Sequence, residues 1–149
     1  MKNPQTVYEV VQILEDYHAR RLATYTRLHC DASDALAKIL LEHLVTLEDH
    51  ALKAVRGELK ELDPQRSTYL SSGPMLSEEA SLASDCHCVD DPSFHDALTC
   101  ALTSGPLLEE LFSRLEGSSA AASVLDLVKR LRELQQTRER QIANFTRQD

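Results

Sequence analysis

The sequence predicts an all-α fold: one bundle of four helices, built as two antiparallel hairpins joined by a long crossover. Three observations predict it. The chain has 149 residues but only four glycines and five prolines, while Leu, Ala, Glu and Arg are common and β-branched runs are rare. That composition favours helix. Apolar residues recur at steps of three and four along four separate stretches, the period of a buried helix face. Between the second and third stretches lies a Ser-rich segment, residues 63–91, interrupted by Gly73-Pro74. The length suits a single domain, residues 1–149, with a real core.

The first helix is predicted over about residues 4–30. Asn3 can cap its exposed N–H groups, and Pro4 fits the first helical position. Its stripe runs Val7, Val11, Leu14, His18, Leu22, Tyr25, Leu28 and so passes through a histidine. Asp31-Ala32-Ser33-Asp34 is a turn and a cap. The second helix follows over about 33–62, with Leu36, Leu40, Leu44, Leu47, Ala51, Ala54, Val55 and Leu59 inward. It stops before Asp63-Pro64, as chains do ahead of proline. The crossover, about 63–91, has room for a short helix near 77–84. The third helix, about 92–116, starts at Asp91-Pro92 and carries Phe94, Leu98, Ala101, Leu102, Leu108, Leu111, Phe112 and Leu115. Gly105-Pro106 must kink or break it. The fourth, about 119–147, turns Val124, Leu127, Leu131, Leu134, Ile142 and Phe145 inward.

Short connections within each pair make each hairpin antiparallel. The connection between the pairs is long enough to travel the length of a helix of roughly 45 Å. Two hairpins joined by one long crossover is the ferritin-like topology; the alternative is another four-helix bundle with an irregular middle.

The stretch HARRLATYTRLHCDASDALAKILLEHLVTLEDHALKAV resembles the first helical hairpin of rubrerythrin-type members of the ferritin-like superfamily. In that pattern a Glu precedes a Tyr by seven residues, an acidic turn follows, and a Leu-rich helix ends in Glu-x-x-His. The resemblance implies a fold, and with it a metal-related or stress-related ancestry. It also implies ligand positions, and this chain departs from them. His18, seven residues before Tyr25, stands where the family has its first Glu. Placing His50 at the family's His puts Leu47 at the bridging carboxylate, with Glu48 one residue off. In the second hairpin the corresponding positions fall near Ser104 or Gly105 and near Arg138 and Gln141. A two-iron site needs about four carboxylates and two histidines facing inward, so a standard di-iron centre is not expected.

Two other metal sites are weighed on the residues themselves. His18 can approach His50 across the hairpin, and a carboxylate from Glu15 or Glu42 would complete a site for Zn, Fe or Cu. The alternative is that these histidines are hydrogen-bonded within the bundle. His43 and His50 lie about 10 Å apart along one helix, too far to share an ion. In the crossover, Cys86, His87 and Cys88 bring soft ligands together, with His95 or Cys100 close enough in sequence to add one, which suits Zn or Cu(I). A thiol redox pair and a plain loop are the alternatives. Cys30 and Cys100 read as small buried residues.

Several function classes are excluded. No strand-turn-helix elbow exposes a serine, and no Gly-rich loop cradles phosphate. The net charge of −8 repels nucleic acid and anionic membranes. The Arg-rich final helix, interleaved with Glu, reads as a solvated face. No stretch approaches the roughly 20 apolar residues of a membrane span, and the first residues lack a signal-peptide core. A cytoplasmic protein with reduced thiols is the expectation. Leu41, Val45 and Leu52 widen the apolar arc of the second helix beyond one face, which predicts a homodimer through helix faces. The expected function is interaction or stress protection without catalysis. The competing readings are a metal-binding protein or oxidoreductase with a histidine-rich site, and a cysteine-based zinc or redox sensor.

Overall fold

A computed structural model of the chain describes residues 6–63, 88–103, 105–118 and 121–146. Those residues form five helices: α1 (Val7–Asp31), α2 (Ala35–Lys60), α3 (Phe94–Leu102), α4 (Gly105–Ser118) and α5 (Ala122–Thr146). The all-α expectation holds. The third predicted helix is two, because the chain breaks ahead of Gly105-Pro106, where proline can neither donate a hydrogen bond nor fit against the preceding turn.

The starts of the helices are set by side chains. Thr6 caps α1: its hydroxyl accepts from Glu9 N at 3.2 Å. Asn3 and Pro4 lie outside the described residues, as do Cys86, His87 and the short helix expected near 77–84. Asp34 caps α2 through Leu36 N at 3.2 Å and also accepts from Phe94 N at 3.0 Å. It therefore ties the start of α3 to the turn between α1 and α2. Ser93 and Asp96 form a reciprocal capping box at α3. Asp91 has a φ of 49°, in the left-handed region, and its carboxylate accepts from both the N–H and the hydroxyl of Ser33, at 2.8 and 2.7 Å.

Two apolar clusters lie one above the other along the bundle. The first joins Val7, Val11, Leu14 and Tyr17 of α1 and Val55 of α2 to Leu108, Phe112 and Leu115 of α4 and Leu127 and Leu131 of α5. The second joins Tyr25 and Leu28 to Leu40, Leu41 and Leu44, to Ala97, Cys100 and Ala101 of α3, and to Ile142 of α5. These memberships fix the directions of the helices. Helix α1 runs from the first cluster to the second and α2 returns. Leu62 packs against the first cluster, while Cys88 and Phe94 pack against the second. Helix α2 therefore finishes at one end and α3 starts at the other. Helices α3 and α4 then descend, and α5 climbs back.

Some inward positions differ from the apolar count. Leu36 is 54% exposed and Leu102 is 51% exposed, and Ala54 is exposed too. Leu22 is half-buried while its neighbour Arg21 is buried. The wide apolar arc of α2 is covered from within, since Leu41 and Leu52 are buried in the chain itself and Val45 packs against the second cluster. Among the described residues, no helix is long and apolar enough to cross a membrane.

Candidate functional site

Between the two clusters the bundle is crossed by a layer of buried polar side chains: His18, Arg21, Glu48 and Arg138 are each no more than 3% exposed. They come from three helices. Glu48 is the centre. Its Oε2 lies 2.7 Å from His18 Nδ1, and its Oε1 accepts from Arg138 Nη2. An ionised carboxylate only accepts, so His18 Nδ1 carries the shared hydrogen. Burial pushes the Glu48 carboxyl up, but the hydrogen bond from His18 and the charges of Arg138, His18 and Arg21 outweigh it. The group ends below the usual glutamate value.

Arg21 joins α1 to α3. Its Nη1 donates to Tyr25 Oη at 2.7 Å and to the carbonyl of Cys100 at 3.1 Å. Cys100 O belongs to the last turn of α3, where the helix leaves carbonyls without intrahelical partners. A guanidinium there also matches the negative end of the helix dipole. Thr103 Oγ1 donates to the same carbonyl at 2.9 Å. The Arg21 guanidinium stands 5.1 Å from the ring centre of Tyr17 and 6.0 Å from that of Tyr25, within cation–π range. Tyr17 meets the His18 ring edge-on at 5.0 Å. Burial pushes the Tyr25 hydroxyl well above its ordinary value, against the pull of Arg21.

The expected site residues are scattered by this geometry. His18 is in the interior, but its partner is Glu48; His50 is exposed. Residues 48 and 50 differ by about 200° around a helix, so only one of them can face inward. In the structure Glu48, rather than Leu47 or His50, faces His18. Glu15 lies at the rim of the α1–α2 hairpin, bonded to Arg56 Nε at 3.3 Å. Glu42 is exposed. Neither joins His18, so the interior site proposed from these four residues is not assembled. His43 is half-buried and stacks on Phe145 with ring centres 5.4 Å apart. Of the crossover set, Cys88 is half-buried against the second cluster and His95 is exposed on α3. Cys100 is buried as expected, but Cys30 is exposed. Among the described residues, no group of three or more His, Cys, Asp or Glu side chains is placed to hold a metal ion.

Arg21, Glu48 and Arg138 carry the layer, and none of the three was among the expected site residues. A signal for them exists. Glu48 lies four residues after Leu44 and three before Ala51; Arg21 lies three after His18 and four before Tyr25; Arg138 lies four before Ile142. Each is a charged residue at a position where the stripe calls for an apolar one. The Arg-rich helix is thus solvated through Arg130 and Arg140, but not through Arg138.

The layer does not fit a di-iron centre. It already carries two guanidinium charges against one carboxylate, and both oxygens of that carboxylate are engaged. A cation placed there would meet positive charge and find both carboxylate oxygens already engaged. No family model matches the chain, and no curated protein or solved structure matches it either.

Proposed function

We propose that the chain is a ferritin-like bundle in which side-chain cations stand where that superfamily holds metal, and that it acts by interaction or in stress protection rather than by catalysis. The observation that carries this reading is Glu48, held between His18 and Arg138 at the middle of the bundle. His18 is at the position that the resemblance gives to a metal carboxylate of the first helix. Arg138 is at one that it gives to the Glu-x-x-His of the last. The order of the helices supports the reading as well, since α2 finishes at the end of the bundle opposite the start of α3.

Metal analysis of untagged protein tests the proposal. No iron or zinc at a stoichiometric level is expected, and His18→Ala should not change the metal content. A pair of iron ions per chain, lost in His18→Ala, would overturn it. Zinc lost only in Cys86→Ser would instead support a cysteine-based site.

A pairing of two copies falls to other residues than those first expected. Leu36 and Ile39, 54% and 53% exposed and one turn apart on α2, are the apolar residues best placed for it. Sedimentation of the wild type and of Ile39→Glu decides the matter. A dimer that dissociates in the variant is the expected outcome, and a monomeric wild type rules the pairing out.

A further inference from the structure

The polar layer is richer in donors than in acceptors. In its hydrogen bonds the two oxygens of Glu48, the Cys100 carbonyl and the Tyr25 oxygen are each already used. Two donors remain. Arg138 Nε is buried and has no hydrogen-bond partner among the described residues. Tyr25 Oη accepts from Arg21 Nη1, which leaves its own O–H to be placed. The hydroxyl keeps that hydrogen, because burial holds it far above its ordinary pKa. Tyr25 is fully buried, so bulk water does not meet it. A buried donor left without an acceptor is costly, and native interiors nearly always supply one. The charges of Arg138, Arg21 and Glu48 are all felt at the Tyr25 hydroxyl, so the two donors share one neighbourhood. Charge points the same way. Arg21 and Arg138 are buried, and Glu48 is the one acidic side chain buried among the described residues. Two positive charges against one negative leave the layer with positive charge in excess. The end of α3 beside Arg21 offsets only part of it, since a helix terminus carries roughly half a charge. Ala51, three residues after Glu48 on the inward stripe of α2, is buried and belongs to neither apolar cluster. Helix α2 therefore presents only a methyl group beside the layer.

We propose that the layer binds one small inorganic anion of halide size, held by Arg138 Nε–H and the Tyr25 O–H. A buried water would satisfy both donors but would leave the charge uncompensated, so the charge decides for an anion. Two single donors in a closed interior suit a monovalent sphere rather than an oxyanion with three or four oxygens to satisfy. The site stands whether or not the ferritin-like reading holds, since it rests on the donors and charges of the layer alone.

Melting of the intact chain at neutral pH in sodium chloride, against sodium gluconate at the same ionic strength, tests it. Equal ionic strength keeps screening the same, and gluconate is too large to enter the layer. The chain is expected to melt higher in chloride, by about 3–6 °C for each tenfold rise in chloride once the site is filled. Arg138→Met removes the Nε–H and the excess charge together, so the difference between the two salts should vanish. Should that variant not fold, Tyr25→Phe, which removes only the O–H, should weaken the chloride affinity roughly ten- to a hundredfold. Bromide soaked into crystals should give an anomalous peak at Arg138 Nε. Equal melting in the two salts overturns the proposal. So does a chloride effect undiminished in either variant, which would place the ions at the surface. A crystal in which water alone meets Arg138 Nε overturns it as well.

Discussion

Glu48→Leu is expected to destabilise the fold by about 3–5 kcal/mol, the usual consequence of leaving a buried charge without its partner. Arg138 would lose its buried carboxylate partner, and His18 Nδ1 would lose its acceptor. Arg138→Met should cost less, because His18 still engages Glu48. The decisive variant is the double one. Glu48→Leu combined with Arg138→Met removes both members of the pair and replaces them with groups of similar volume, an exchange that is often neutral or better. Urea unfolding should therefore show a double variant more stable than Glu48→Leu alone. Strictly additive losses would mean that the two residues are not coupled.

Acid should unfold the protein through the same residue. Folded Glu48 is held below the ordinary glutamate value of 4.5, so the folded state gives up this proton more readily than the unfolded chain does. The stability contributed by ionised Glu48 is then fully present above that ordinary value. It is lost as pH falls through the lower, folded value. Asp91 and Asp49 are also held low, by hydrogen bonds from Ser33 and Lys53, but they lie at the surface and add little. A steep fall in melting temperature below about pH 4.5 is expected for the wild type. In Glu48→Gln the curve should start lower and run flatter. An acid limb of unchanged steepness in that variant would assign the loss to other carboxylates.

The parts of the fold that follow from local chemistry were legible in the sequence. Caps and prolines put the ends of the first two helices within a few residues of where they are, and Gly105-Pro106 marked the break between α3 and α4. The centre of the molecule was harder to read. Periodicity counts apolar residues, and a charged residue on the stripe is taken for a boundary of the face rather than a member of it. Arg138 could be read as inward only with Glu48 already placed opposite it, and the two are 90 positions apart. His18 was the one visible clue, as a polar residue already counted on an apolar stripe. Leu36 failed for the opposite reason. It lies on the stripe, but at the first turn of α2, where it is half exposed.

The polar layer has a further consequence, for alignment. Helix α2 is rich in leucine, and leucine packs almost equally well against leucine wherever it meets it. A bundle of such helices could slide by a turn, about 5.4 Å, and still bury its apolar surface. With the layer present, that slide would carry the guanidinium of Arg138 in among Leu44 and Leu40, or strand Glu48 beside Leu131. Either displacement puts an uncompensated charge into hydrocarbon. Four residues thus exclude a set of near-equivalent packings that the leucines alone would permit. The double variant that restores stability should, for the same reason, be the one that loses a single alignment.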